Sequence, residues 1–377
     1  MFHLPQIATL TDNLLPLIGS ILAFLSIITV HEFGHFIFCK LFNVKTPTFS
    51  IGAGPVIAKK MIGETEFILS LLPVGGFVEI GGLSEPGQGD QASASDRSER
   101  SFEMKPYWQK MLILCGGIFF NILFAFIVYT TLYATGMPKV FLTNVTITSV
   151  SANGPADRAG LQEGDLIVGV NHKEFASTEG AMSSIEFTKT LLASNHSPLY
   201  LLVQRNERHL KLTITPESDP KDGPTAPAKI MATLASNGSY GLSPGLDIVT
   251  SAKKAYIAIY DQAAGTFSMM GSLFKERTLT GIGGPVMIFS QLFKTAKVGF
   301  RSVLLFVCYV NIGLAVINVL PLGALDGGQI AFATIEFVTR RKLHDTFKIW
   351  VNIFSIILFG TLFLYLTFRD ALALFGY

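Results

Sequence analysis

Charge is almost absent from four long stretches of the chain. Leu14–Phe42 is uncharged until His31, Met111–Gly136 carries no charge, Ser302–Leu325 carries none before Asp326, and Ile349–Phe368 is uncharged throughout. A helix needs about 20 mostly apolar residues to cross hydrocarbon, where every backbone group has to be satisfied inside the segment. Four spanning helices are therefore expected. The first does not read as a signal peptide, because it lacks a basic leading region and a small-residue cleavage site, and its apolar run is too long.

Between the second and third stretches the pattern becomes that of a soluble domain. Asn153–Phe175, "NGPADRAGLQEGDLIVGVNHKEF", reads as a short helix stopped at Gly160, a turn at Gly164 and Asp165, and then a strand. Pro198–Pro216 reads as a hairpin whose two β-rich runs join at Asn206 and Glu207. Through the pattern A-G-L-x-x-G-D-x-I, the region from Val140 to Pro216 resembles a PDZ domain. Such a domain binds peptides by strand addition and often takes a C-terminal carboxylate; the alternative is a packing module that binds nothing. Asp219–Pro227 is a proline-rich polar linker, and Leu246–Phe274 looks amphipathic, suited to the outer membrane surface, with a fifth span as the alternative.

Composition agrees with this division. The chain of 377 residues is 49% hydrophobic and 15% charged, too apolar for an ordinary soluble domain, and its net charge of +2 shows no basic stripe for nucleic acid. Cys39, Cys115 and Cys308 all lie in apolar segments, which points to buried free thiols and away from a disulfide framework. Orientation follows from short-loop cations. Arg340, Arg341, Lys342 and Lys348 lie between the third and fourth spans, so that loop is expected inside, with the N-terminus, the PDZ-like region and the C-terminus on the exported side.

One stretch contradicts its surroundings. "ITVHEFGHFIF" (Ile28–Phe38) places two histidines and a glutamate in a lipid-like helix, where ionisable groups are costly and functional by default. His31 and His35 are four residues apart and share a helix face, and Glu32 is close enough to reach a water on a metal held by both imidazoles. This is the H-E-x-x-H pattern of zinc peptidases. A catalytic zinc usually has three protein ligands, and Asp326, in "NVLPLGALDGG" (Asn318–Gly328), is the acidic residue at membrane depth placed to be the third. Pro321 is expected to break the third span there, with Gly327 and Gly328 freeing the backbone. Asn121, beside Gly116 and Gly117, reads as packing and interhelical glue in the second span.

Four blocks in this order, "HEFGH", "FSIGAGP" with "TEFILSLLPVGGFVEI", "WQKMLILCGGIFFN", and "GIGGPVMIF" with "NVLPLGALDGG", resemble the site-2 protease family of intramembrane zinc metalloproteases. The likeness is to the bacterial branch that includes the regulator-of-sigma-E protease, here with a single PDZ-like domain. It implies one zinc ion per chain on His31, His35 and Asp326, Glu32 as the catalytic glutamate, and Asn318 and Pro321 as substrate contacts. It also implies a membrane-dipping β-sheet at Glu64–Gly76, read as a strand ending in a turn, whose edge at Phe67, Ile68 and Leu69 would pair with an unwound substrate. Ile118 and Gln329 depart from the family's usual proline and histidine but touch no expected ligand.

The expected fold is thus a polytopic α-helical membrane protein with four spans, a membrane-associated β-hairpin and an inserted α+β domain. Its segments are 1–42 (first span), 43–106 (β loop region), 107–136 (second span), 140–216 (PDZ-like), 217–245 (linker), 246–299 (surface helices), 300–328 (third span), 329–348 (cytoplasmic loop) and 349–377 (fourth span). The expected activity is cleavage of single-span membrane proteins, such as anti-sigma-factor-like proteins or remnant signal peptides, in a bacterial cytoplasmic membrane. Expected partners are those substrates, the bilayer, and a peptide at the PDZ groove. A non-proteolytic PDZ scaffold, which has no need of Glu32, and a metal transporter or sensor, which wants more polar residues along the spans, are the alternatives.

Overall fold

The computed structural model describes residues 5–374 except 84–92, 94, 172, 175–186, 188–189, 192, 195, 219–228 and 277–282. The Asp219–Pro227 linker, and Gly281 and Ile282 of the fourth block, therefore lie outside the described residues. The chain divides into two compact units, Met1–Met137 with Pro244–Tyr377, and Pro138–Ser243.

The first unit is helical around one small sheet. Among the described residues, four of its helices contain segments long and apolar enough to cross a membrane: Asn13–Leu41, Gly116–Thr135, Phe300–Asn318 and Asp345–Leu372. The first lies in α1 (Pro5–Leu41) and the second is α3 (Gly116–Thr135). The second apolar stretch is not one helix. A short α2 (Tyr107–Leu114) precedes α3, and Cys115 separates them with a ψ of −5°. The residue after the break, Gly116, sits at a close helix crossing. A Cβ on Gly34 would overlap the Gly116 carbonyl, and one on Gly116 would overlap that of Gly34, so α1 and α3 cross backbone to backbone at glycines.

Strands β1 (Thr48–Ile62) and β2 (Thr65–Val78) turn at Gly63 and Glu64. The sheet is laid along one stripe of α1. Glu64 is bonded to Lys40 at 2.7 Å and Arg100 at 2.6 Å, and these bonds, Arg100 first, hold its carboxyl down at about 2. The Phe36 ring packs on Phe49 and Phe67 at 5.4 and 5.7 Å. At the far end, a Cβ on Gly76 would meet Ile28 and Glu32. Ile28, Glu32, Phe36 and Lys40 share one helix face, and at 1.5 Å per residue the sheet follows about 18 Å of α1.

Two expectations about this sheet are corrected. The strand does not end in a turn at Gly75 and Gly76 but continues to Val78, bent at Gly75 (φ 73°). Phe67, Ile68 and Leu69 are not an edge. They face Phe49–Ile51 on one side and Ala58–Lys60 on the other, because β1 folds back at Gly52 and Gly54, both near φ 85°. Phe49–Ile51 in turn pair with Gly76–Val78, so the outer segments are Ala58–Met61 and Gly76–Val78.

Leu246–Phe274, expected to be amphipathic, forms a single helix α5 (Ile248–Glu276) in which Ala255, Ile259 and Ala263 pack with residues of α3 and of the third apolar helix. Gln262 links it to both, accepting from the Tyr129 hydroxyl and donating to the Tyr309 carbonyl at 2.6 Å. Then come α6 (Pro285–Val298), α7 (Phe300–Asn318), α8 (Asp326–Thr339) and α9 (Asp345–Leu374). The third apolar helix stops at Asn318, short of the expected Leu325, as Pro321 requires. Residues 329–348, expected to be loop, contain most of α8, whose apolar residues pack against α2 and the hairpin core. Gly327 and Gly328 have ordinary φ; their role is close approach, since a Cβ on either would overlap carbonyls of Val319–Leu322.

Among the described residues, the second unit holds a six-stranded sheet and the short helix Pro155–Arg158. Strand β3 (Pro138–Val150) is followed by α4 (Pro155–Arg158), β4 (Leu166–Val170), β5 (Lys173–Glu174), β6 (Leu199–Arg205), β7 (Arg208–Ile214) and β8 (Ala232–Leu242), in the order β7-β6-β4-β3-β8 with β5 beside β4. Gly160 takes φ 83° after α4, and Asn206 and Glu207 both take positive φ in the β6–β7 turn, the conformation that a two-residue hairpin loop requires. Buried Asp165 accepts two bonds from Arg205 at 2.6 Å and one from the Gln162 N–H, fixing the turn before β4. Residues 217–245, expected to be linker, include β8 paired along β3, so the unit extends beyond Pro216: β3 is long enough to hold a partner on each side.

Candidate active site

His31 and His35 lie on the face of α1 that meets α3, one position round from the stripe carrying the sheet. Gly117 makes room for them: a Cβ there would intrude on both imidazoles. The break at Cys115 turns the Ile113 carbonyl toward His35, whose Nδ1 lies 2.8 Å from it. A carbonyl can only accept, so Nδ1 carries the proton and Nε2 keeps its lone pair. That lone pair points inward.

Three ligand-type atoms converge there. His31 Nε2 and His35 Nε2 are 3.4 Å apart, and they lie 3.3 and 3.5 Å from Asp326 Oδ2. Asp326 opens α8, and the overlapped glycines after it seat the helix start beneath the 319–323 loop. A tetrahedral zinc with bonds of about 2.0–2.2 Å separates its ligand atoms by about 3.3–3.6 Å. The triangle matches one face of that tetrahedron. Asp326 Oδ2 is also buried without a hydrogen-bond donor, which a carboxylate in this setting does not tolerate unless a cation completes it. Among the described residues, these three form the group able to hold a metal ion.

Glu32 stands at the joint between this triangle and the sheet. It interacts electrostatically with His31, His35 and Asp326, and the Val78 backbone N–H lies toward its carboxylate, with Gly76 against its side chain. The Gly76–Val78 segment therefore runs against the glutamate. Asn318, the last residue of α7, is buried and brings its amide to 3.5 Å from His31 Nε2. Pro321 is exposed on the loop beyond. Phe67 and its neighbours are one strand removed from this point.

Asn121 is more than interhelical glue. It is fully buried, and its amide lies 3.2 Å from His31 Nδ1, with the oxygen left unpartnered as the amide is oriented. With the two amide atoms exchanged, the oxygen accepts from Nδ1–H and Nε2 is free for the triangle. The sequence held a clue: a polar residue one turn after Gly117 shares its helix face.

The family model for peptidase family M50 matches residues 19–362. A protein of Clostridium perfringens named among the zinc metalloproteases is 29% identical over 358 residues, covering 94% of this chain and 98% of its own length. One from Helicobacter pylori, similarly named, is 33% identical over 332 residues, covering 84% and 88%. The crystal structure of the PDZ domain of an SdrC-like protein from Listeria monocytogenes matches with 24% identity and a TM-score of 0.21, over 26% of this chain and 92% of that one.

Proposed function

The chain belongs to peptidase family M50, and we propose that it is a membrane zinc metalloendopeptidase that cuts the transmembrane segments of single-span membrane proteins. The observation that carries this reading is the 3.3–3.5 Å triangle of His31, His35 and Asp326 with an unpartnered carboxylate oxygen, beside a glutamate. These three residues would hold one zinc ion. Bound there, zinc supplies a Lewis acid that polarises a peptide carbonyl and makes water acidic near neutral pH.

The chain's own groups do the rest. The Glu32 carboxylate takes the proton of the attacking water and passes it to the leaving amine nitrogen. A helical substrate has its carbonyls engaged in i to i−4 bonds and has to unwind before it can react. The Gly76–Val78 segment, beside Glu32, would lie along the extended strand, and the Asn318 side-chain amide would offer it a hydrogen-bonding group. Pro321, in the loop between Asn318 and Asp326, keeps α7 and α8 from joining as one continuous helix. The substrates would be anti-sigma-factor-like proteins or remnant signal peptides. With the Arg340–Lys342 run inside a bacterial cytoplasmic membrane, the N-terminus, Pro138–Ser243 and the C-terminus face the exported side. There, the second unit, in this reading a PDZ-like domain, restricts access to substrates already trimmed outside or captures their new C-termini.

The deciding experiment separates base from ligand. Glu32→Gln should keep about one zinc per chain by elemental analysis while cleavage of a model transmembrane substrate falls to background. His35→Ala should lose both. Normal cleavage by Glu32→Gln would overturn the reading, and loss of its zinc would make Glu32 a ligand.

A further inference from the structure

The second concentration of chemistry lies away from the zinc triangle, where α2 and α8 meet. An open cavity of about 630 Å³ is lined there by Tyr107, Lys110, Phe337, Val338, Arg340 and Arg341, and by the paired side chains Glu336 and Lys342. Its wall is amphiphilic. Tyr107 stacks on Phe337 with ring centroids 4.1 Å apart, and Phe337 and Val338 continue outward as exposed apolar surface.

The charge of the cavity is not balanced. Lys342 is paired with Glu103 at 3.3 Å and Glu336 with Lys348 at 2.7 Å, which uses the nearby carboxylates. Lys110, Arg340 and Arg341 have no ion-pair partner among the described residues. Three cations thus face one space, and Lys110 is held over the Phe102 ring at 5.6 Å. The chain's two tryptophans lie close in sequence to residues that line the cavity or pair with its carboxylate. Trp108 is 56% exposed and packs on Phe42, just past the end of α1, and Trp350, 67% exposed, lies two residues beyond Lys348. Exposed tryptophan beside lysine and arginine belongs at the boundary between headgroups and hydrocarbon.

We propose that this cavity is a binding site for an anionic phospholipid, its phosphate held by Arg340, Arg341 and Lys110 and its acyl chain lying over Phe337 and Val338. The proposal rests on the reading that the four apolar helices cross a bilayer. Basic pockets between helices at the inner face suit such headgroups, whereas free phosphate would make no use of the apolar wall.

The test uses the full chain with Trp350→Phe, which leaves Trp108 as the reporter. The protein is reconstituted in phosphatidylcholine vesicles holding equal mole fractions of either dibrominated phosphatidylglycerol or dibrominated phosphatidylcholine. Brominated phosphatidylglycerol should quench Trp108 more strongly. Arg340→Gln with Arg341→Gln should abolish the excess, a fall in relative affinity of roughly 30-fold, while Arg340→Lys with Arg341→Lys should keep it. Equal quenching by the two lipids, or an excess that survives the glutamine pair, would overturn the site. Relief of the excess by inorganic phosphate at constant ionic strength would make it a phosphate site and overturn the lipid assignment. Zinc content and cleavage, measured on the same variants, report separately on the protease reading.

Discussion

Asn121 on α3 lies 3.2 Å from Nδ1 of His31 on α1, a buried amide against the outer nitrogen of an imidazole whose inner nitrogen faces Asp326. The contact fixes which nitrogen is presented to the metal. Such supporting bonds typically set metal affinity by about 10–100-fold. Asn121→Ala should therefore weaken zinc binding by about that factor in a chelator competition, with the helices intact, while Asn121→Asp, which keeps an acceptor, should stay within a few-fold. Unchanged affinity in the alanine variant would reduce Asn121 to packing.

The crossing of α1 and α3 makes a steric prediction. Gly34→Ala drives a methyl into the Gly116 carbonyl, and overpacking of this kind typically costs about 1–3 kcal/mol. Because His35 takes its orientation from Ile113 across the same crossing, the variant should lose zinc as well as thermal stability. Gly19→Ala, on the same helix with nothing within 4 Å of the added methyl, is the control and should be neutral. Equal behaviour of the two would mean that the crossing is loose.

What the sequence made legible follows the range of the interactions concerned. The presence of four apolar helices, though not all their ends, the His31–His35 face, the left-handed stop at Gly160 and the Asn206–Glu207 turn are set by local periodicity or by one residue's φ, and they stand as read. Asp326 was reachable because a carboxylate in an apolar run is rare. The break at Cys115 was not, since the residue after it meets Gly34 of α1, a neighbour distant in sequence. Strand neighbours were also hidden. "TEFILSLL" reads as one strand, yet which of its sides is covered depends on β1 folding back at Gly52 and Gly54, and that closed Phe67–Leu69 on both sides. Strand β8, in the expected 217–245 linker, is hidden too, because β3 supplies its pairing from a distant part of the sequence.

The second unit should lose stability in acid. Burial raises the Asp165 carboxyl, but the Arg205 guanidinium and the Gln162 N–H outweigh it and leave the group below the ordinary carboxylate range. A depressed folded value stabilises above the unfolded pKa and is lost as pH falls through the folded one. Amide exchange of β4 and β6 in the full chain should therefore accelerate below about pH 4. Arg205→Gln, which strands a buried carboxylate, should cost about 3 kcal/mol at neutral pH and reverse the acid dependence, because protonating Asp165 then relieves the unit. An acid response unchanged by Arg205→Gln would remove the pair from the argument.

The last prediction concerns which strand receives substrate. Two outer segments border the sheet, Ala58–Met61 and Gly76–Val78, and only the second touches the catalytic face, through Glu32. In the pairing with Phe49–Ile51, the Glu79 N–H reaches the Thr48 carbonyl, so alternate amides, including that of Val78, point away from β1 toward Glu32. An extended substrate added there would lie within reach of the proton carrier, whereas one added at Lys60 would sit on the far side of two strands. A photocrosslinking residue at Phe77 in the Glu32→Gln background should capture a model transmembrane substrate, and one at Lys60 should not. Ile68→Pro should impair cleavage of rigid and of glycine-loosened substrate helices alike, because it removes a ladder donor inside the sheet and not at its edge. Capture at Lys60 alone, or selective loss on rigid helices from Ile68→Pro, would move the substrate to the other border and detach the sheet from Glu32.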